Sequence, residues 1–433
     1  MDMDKLVSLC KRKGFIFQSS GIYGGINGCW DFGPLGVELK RNLKNDWWYN
    51  FVQIRDDMVG LDASIITHPE VWVASGHVEQ FHDILVDCKE CRKRFRQDHL
   101  ETERCPECGG ELSEPKAFNS MLRTQLGVSD DTAVNTYLRP ETCQSIFVDF
   151  KDVYSSTRVR IPFGIAQIGK SFRNEVNPRN FIFRSREFEQ MEIEFFCREE
   201  EEEKWFAQWQ QDIWAWYLSL GIKESALRWY EHPKESLAHY SKRTVDVEYE
   251  FPFGWGELQG LANRGCYDLT QHSNHSGKDL SFFDAEKNER YMPTVIEPSA
   301  GADRTTLAVL CDAYDEEEVN GETRTVMHLA PKLAPIKAAI LPLVKKDGLA
   351  ELADGLEKKL RRKFITYYDH AGAIGRRYRR QDEIGTPYCV CVDFETKENG
   401  TVTVRDRDTM EQIRVPMDDL AEYIGKRVSF ERD

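Results

Sequence analysis

At 433 residues the chain exceeds one ordinary hydrophobic core and calls for two or three domains. With 41% hydrophobic and 30% charged residues it reads as a globular protein, and no apolar run approaches the ~20 residues of a membrane span. Its formal net charge of −15 argues against a general nucleic-acid coat protein.

The start, MDMDKLVSLCKRKGF, lacks an apolar stretch followed by a small-residue cleavage site. The twelve cysteines comprise two C-x-x-C pairs and scattered singles, which fits a reducing cytoplasm better than a disulfide framework. Residues 1–20 read as a helix leading into SSGIYGGINGCWDFGPLG. That stretch has no G-x-x-x-x-G-K-[ST] pattern, so its glycines are expected to serve turns. Pro34 then starts an amphipathic helix with Leu35, Leu39, Leu43 and Trp47 on one stripe. Such a helix either covers a sheet or forms a subunit interface.

Cys88, Cys91, Cys105 and Cys108 follow as two C-x-x-C turns, the arrangement that tetrahedral thiolate coordination of zinc requires. Four thiolates fill the coordination sphere, so the metal would be structural; unpaired thiols are the alternative. Glu141 lies in an Arg-Pro-Glu turn ahead of the helix CQSIFVDFKDVY.

Gln167–Phe196 reads as two strands joined by a turn on Asn177, Pro178 and Asn180. Alternation then puts Arg173 with Glu175 on one face, and Arg186, Phe188, Gln190 and Glu192 together on the return strand. By the same parity Glu189 is a weaker ligand than Glu192. An acidic run and a Trp-rich helix come next, and residues 223–243 read as a second helical stretch. Strand character returns at TVDVEYEFPFGWGELQGLANRGCYDL. YMPTVIEPSAGADRTTLAVLCDAY reads as a strand, a Glu-Pro turn and a helix with Arg304 in its first turn. A cation there opposes the helix dipole and calls for an anionic partner.

From about residue 331 strands and helices alternate, which indicates a small α/β domain with a mostly parallel sheet. This part carries 20 Lys and Arg against 18 Asp and Glu, and Arg376, Arg377, Arg379 and Arg380 cluster on one helix. It is the better candidate for a polyanion contact.

Together these strings resemble the class II aminoacyl-tRNA synthetases, and among them the homodimeric glycine-specific type, over nearly the whole chain. Phe172-Arg173-Asn174-Glu175 with Arg184-x-x-x-Phe188-x-x-x-Glu192 is similar to the second class motif. Gly301-Ala302-Asp303-Arg304 is similar to the third, and Asp31-Phe32-Gly33-Pro34 to the first. The resemblance implies an α+β catalytic domain with an antiparallel sheet over 1–330, plus a C-terminal α/β anticodon-binding domain over 331–433. Insertions are expected at about 85–115 (the zinc knuckle) and 199–243 (helical). It implies glycine attachment to tRNA(Gly) through glycyl-adenylate, with ATP, Mg2+ and a structural Zn2+, in a cytoplasmic homodimer.

Arg173 and Arg304 would be catalytic, Arg173 at the α-phosphate and Arg304 at the γ-phosphate. The ATP site would add Asn174, Glu175, Phe183, Arg184, Ser185, Arg186, Glu187 and Phe188, then Glu257, Leu258, Gly301, Ala302 and Asp303. Glycine would meet Arg96, Glu141, Phe188, Glu189, Gln190, Met191 and Glu192, then Glu297, Pro298, Ser299, Ala300 and Gly301. The chemistry agrees. Two anions must be brought together, and guanidinium groups bind phosphate oxygens bidentately without losing charge. A substrate with no side chain is read through its ammonium and carboxylate groups and by excluding a methyl. The alternatives are a class II enzyme for another small amino acid and a non-catalytic RNA-binding relative; the latter is disfavoured by the presence of Arg173, Glu175 and Arg304.

Overall fold

The computed structural model describes residues 2–97, 100, 102–128 and 133–431. Residues 98, 99 and 101 of the expected 85–115 insertion lie outside that set.

The first part of the chain is built on a seven-stranded sheet. Its strands are β1 (Met58–Gly60), β2 (Phe163–Phe172), β3 (Glu187–Cys197), β4 (Leu227–Glu231), β5 (Arg243–Phe251), β6 (Gly254–Gly265) and β7 (Thr294–Gly301), in the order β4-β5-β6-β7-β3-β2-β1. All neighbours pair antiparallel except β1 and β2, which are parallel. The longer helices are α1 (Met3–Lys13), α2 (Pro34–Trp48), α3 (Cys143–Thr157), α4 (Glu202–Ser219), α5 (Tyr267–Ser276) and α6 (Ala302–Ala313).

Alternation along the strands divides the core. Met191, Ile193 and Phe195 of β3, with Ile296 and Ala300 of β7, join Leu39, Leu43 and Trp47 of α2, Trp209 and Trp216 of α4, and Leu307 and Leu310 of α6. Phe196 and Val295, of the opposite parity, join Ile146, Phe147 and Phe150 of α3 and Leu269 of α5. The second face is apolar only at one end, leaving the other end for polar residues. Within this chain α2 therefore covers the sheet through α4 and α6.

Three local expectations are corrected. The β2–β3 hairpin is closed by a long connection, and Arg173, Glu175 and Arg186 lie in it, so strand alternation does not orient them. Residues 223–243 are not a second helix: a short 3-10 turn leads into β4, which pairs with β5 at the sheet edge. The helix before them, α4, puts its tryptophans into the main core. The Glu297-Pro298 pair makes no turn; it runs within β7, with Pro298 opposite Leu261 of β6. Proline lacks the N–H of a ladder bond, and the β3–β7 register is recorded on either side of it, at Glu192–Ser299 and Phe195–Ile296.

The C-terminal part has its own core. Its strands are β8 (Ala338–Pro342), β9 (Thr366–Tyr368), β10 (Tyr388–Val392), β11 (Thr401–Asp406) and β12 (Gln412–Pro416), in the order β9-β8-β10-β11-β12. The first three are parallel, and β11 and β12 add an antiparallel hairpin. Helices α7 (Leu349–Leu360), α8 (Ile374–Asp382) and α9 (Leu420–Val428) flank them. Ile340, Val390, Val404, Leu356 and Ile424 fill the interior.

Candidate active site

The polar end of the second sheet face forms the floor of a cleft. Phe188, Gln190 and Glu192 project from β3 on that face, and Ser299 and Glu297 from β7. Glu192 is buried; its Oε2 accepts from the Thr142 N–H at 3.1 Å and its Oε1 from the Ser299 hydroxyl at 2.6 Å. Gln190 is set by Ser171, whose hydroxyl donates to it at 2.7 Å. Burial and the neighbouring Glu141 push the Glu192 carboxyl above its ordinary value.

Glu141 enters from the turn before α3 and lies 3.2 Å from Nε2 of His77. Burial opposes its ionisation, but His77 and Arg264 hold it well below the usual carboxylate range. Glu297 receives Nη1 of Arg264 on both oxygens at 3.0 Å. The same guanidinium holds Asp268 on α5 at 2.7 and 2.8 Å and lies 3.7 Å from the ring centre of Tyr240. Even so, burial pushes Glu297 up to about 8. Three glutamates thus meet in one buried corner with a single guanidinium clamped behind them.

The other half of the cleft is cationic and aromatic. Arg173 donates through Nε to the Pro140 carbonyl at 3.1 Å and lies 5.3 Å from the Phe188 ring centre. Glu175 accepts from Nε of Arg184 at 2.6 Å. Arg304 does find an anionic partner: its Nη1 is 3.0 Å from the Glu257 carboxylate, while its Nε donates to the Phe183 carbonyl at 3.1 Å. Against desolvation in the cleft, Arg304 holds Glu257 below its usual value. A bulge at Leu258 of β6, opposite the Val247–Glu248 step of β5, lets Glu257 and Gly260 of β6 border the same cleft. The two halves share Arg173, Gln190, Glu257 and Ser299. Arg184, Ser185, Gly301 and Asp303 also line the cationic half.

Several expected residues are placed elsewhere. Met191, Ala300, Leu258 and Ala302 are buried in the main core, with no side chain left to meet a ligand. Pro298 is buried within β7 and shares the parity of Ala300. Glu189 borders the cleft, yet its carboxylate pairs with Lys40 at 2.7 Å and Lys44 at 2.8 Å on α2. Asp303 binds the same Lys40 and accepts the Glu189 N–H at 2.7 Å, so its carboxylate fastens α6 to α2 and β3. Glu187 pairs with Lys170 at 2.6 Å, Asn174 donates its N–H to the Ser120 carbonyl, and Arg186 donates to the Asn27 carbonyl. Arg96 pairs with Asp83 and faces Glu175 and Arg184, on the cationic side of the cleft rather than beside Glu192.

The sequence reading missed His77, Thr142, Arg264 and Asp268. Only the last pair left a signal, an Arg and an Asp four apart where β6 runs into α5.

The four cysteines converge on a small three-stranded sheet, Arg94–Arg96, His82–Asp87 and Lys116–Asn119. Their sulfurs lie within 4.8 Å of one another, with Cys88–Cys108 at 3.5 Å and Cys91–Cys105 at 3.6 Å. Tetrahedral zinc with thiolates at about 2.3 Å places sulfurs about 3.8 Å apart, so the donor set fits that ion.

In the C-terminal part Arg377 is not a surface charge: it is buried, and its Nη1 donates to the Pro342 carbonyl at 2.6 Å. Arg380 pairs with Asp369.

Comparison with known proteins gives concordant matches. Residues 126–328 match the model of the tRNA synthetase class II core domain (G, H, P, S and T), and residues 337–427 match an anticodon binding domain. A glycine–tRNA ligase of Treponema denticola is 53% identical over 439 residues, 99% of this chain and 97% of the relative. One of Streptomyces coelicolor is 53% identical, covering 98% of both chains. One of Thermobifida fusca is 54% identical, covering 99% of this chain and 98% of the relative.

Proposed function

This chain belongs to the glycine–tRNA ligases, a family of class II tRNA synthetases, and from that premise we infer how its cleft works. It attaches glycine to tRNA using ATP. The observation that carries the assignment of roles is the single cleft in which Arg173 and Arg304 face a corner of Glu141, Glu192, Glu297 and Ser299.

In the first step the glycine carboxylate attacks the α-phosphorus of ATP and pyrophosphate leaves. The nucleophile is already an anion, so no general base is needed, and catalysis is positioning and charge stabilisation. Arg173 lies where the two halves of the cleft meet and holds the α-phosphate beside the incoming carboxylate. Arg304 takes the terminal phosphate once ATP displaces it from Glu257. Phe188 and Glu175 receive the adenine. Glu141, Glu192 and Glu297 take the ammonium group, and Ser299 closes the floor. Glu257, a cleft carboxylate, would hold Mg2+, which when bound would supply neutralisation of the phosphate charge.

Zinc at Cys88, Cys91, Cys105 and Cys108 is structural in this reading. Residues 331–433 form the tRNA(Gly) anticodon-binding domain and residues 1–330 the catalytic one. The enzyme acts as a cytoplasmic homodimer; exposed Ile22, Tyr23 and Ile26 ahead of α2 and Val37 on it support a covered face there. No described helix is long and apolar enough to cross a membrane. Glycine-dependent ATP–pyrophosphate exchange, followed by charging of a tRNA pool, tests the assignment. Exchange in which alanine or serine outruns glycine would overturn it.

A further inference from the structure

Glu194 lies two residues beyond Glu192 on the same face of β3, deeper in the corner. It is fully buried, and neither carboxylate oxygen has a hydrogen-bond partner among the described residues. One acceptor atom from each of Glu192, Glu194, Glu297 and Cys143 lies within 4.8 Å of the others. Around it stand Glu192 on β3, Glu297 on β7, Arg264 on β6, Asp268 on α5 and Cys143 on α3, and Glu141, His77 (from the short helix His77–Gln80) and Tyr240 adjoin that cluster.

Five carboxyls therefore surround one clamped guanidinium, and Arg264 spends its donors on Glu297 and Asp268. Nearby Arg139 gives its donors to the carbonyls of Ala63 and Lys170. Glu192 has Thr142 and Ser299, and Glu141 has His77, Cys143 and Gln144. Buried like charges this close cannot all ionise. The carboxyl left with no donor is the one that keeps a proton.

We propose that Glu194 is a positioning residue held as a neutral carboxylic acid, whose proton lets Glu192 and Glu297 carry the charge that meets the ammonium group of glycine. A further negative charge there would repel the carboxylate of the same zwitterion. The proposal rests on the reading of this corner as the glycine site. Burial, then the Glu297 charge, raise the proton affinity of Glu194 well above that of an ordinary glutamate. Glu194 and Glu297 titrate as a pair, so the raised value of about 8 at Glu297 belongs to the two carboxyls together; Nη1 of Arg264, shared between both Glu297 oxygens, favours the charge on Glu297 and leaves the proton on Glu194.

Infrared difference spectra of the full-length protein against E194Q, in H2O and in D2O at pH 7, test this directly. The expected result is the carbonyl stretch of a neutral carboxylic acid in the wild type, shifted by deuterium and lost in E194Q. Thermal melting gives a second readout. A glutamate whose proton affinity is raised by folding stabilises the native state at pH below its unfolded value and loses that contribution as pH rises. The melting temperature of E194Q relative to wild type is therefore expected to climb between about pH 5 and pH 8. A wild type without the acid band, a band that survives in E194Q, or a melting difference independent of pH would overturn the proposal. The wild-type spectrum decides even if E194Q does not fold. Neither readout uses glycine, so wild-type protein inactive in glycine-dependent exchange would count against the functional reading alone.

Discussion

Lys40 shows how one side chain separates two glutamates that the sequence places side by side. Its ammonium meets both Glu189 and Asp303 at 2.7 Å beneath the sheet, while Glu192 faces the cleft and is held by Thr142 and Ser299. E192Q is therefore expected to lower kcat/KM for glycine by at least about tenfold, through loss of a charge facing the ammonium group. E189Q should leave Lys40 and Lys44 short of a partner and cost about 1–3 kcal/mol of stability in urea titration, with glycine recognition retained. Equal losses of glycine affinity in the two variants would refute this division. Arg173→Ala and Arg304→Ala should each lower adenylate formation about 100- to 1000-fold with the melting transition preserved, the scale expected for removing one aimed donor from a developing charge. Near-normal exchange in both would remove them from the phosphate path.

At the level of elements, the connection carrying Arg173 to Arg186 is held from outside the sheet. The Asn174 N–H donates to the Ser120 carbonyl at 2.8 Å, and Nδ2 of Asn177 donates to the Arg94 carbonyl at 3.3 Å. Both anchors adjoin or belong to the small sheet bearing the cysteines. Removing the proposed zinc with a chelator should loosen that sheet and, through these two bonds, the cationic half of the cleft. The expected outcome is a KM for ATP raised several-fold, with a smaller change in the KM for glycine, measured by pyrophosphate exchange. An unchanged KM for ATP in protein shown to be metal-free would separate the knuckle from the site.

Across the whole molecule, the catalytic and C-terminal parts meet at a buried ionic network. Arg324 pairs with Asp382 of α8 at 2.9 Å, both side chains fully buried, and Arg405 reaches the same carboxylate. His328 bridges Asp408 at 2.6 Å and Glu317 at 3.0 Å. The hydrogen bond to Asp408 raises the His328 proton affinity above its ordinary value. Stability from a raised histidine is fully present below its unfolded value, about 6.5, and is lost as pH climbs through the folded one. H328Q should thus melt below the wild type at pH 6, and the gap should narrow by pH 9. A gap that holds constant with pH would mean that the imidazole is uncharged in this join.

Much of the site was legible from local pattern. Cys88, Cys91, Cys105 and Cys108 declare a thiolate cluster through spacing alone, because each pair needs only its own turn. Period-two alternation on β3 separates Glu192 from Glu189 without reference to any other strand, and the helix dipole calls for an anion at Arg304. Strand and helix alternation after residue 331 marks the second core. What only the tertiary structure decided is which distant groups neutralise these charges. Arg264 clamps Glu297 across β6 and β7, Lys40 takes Glu189 and Asp303 from α2, and Glu194 is left without a donor among the described residues. Residues 227–231 become an edge strand because β5 offers an open ladder, and Pro298 stays extended because β6 flanks it. A propensity acts within a few residues of chain, whereas pairing of buried charges and strand edges depends on which surfaces the fold brings together.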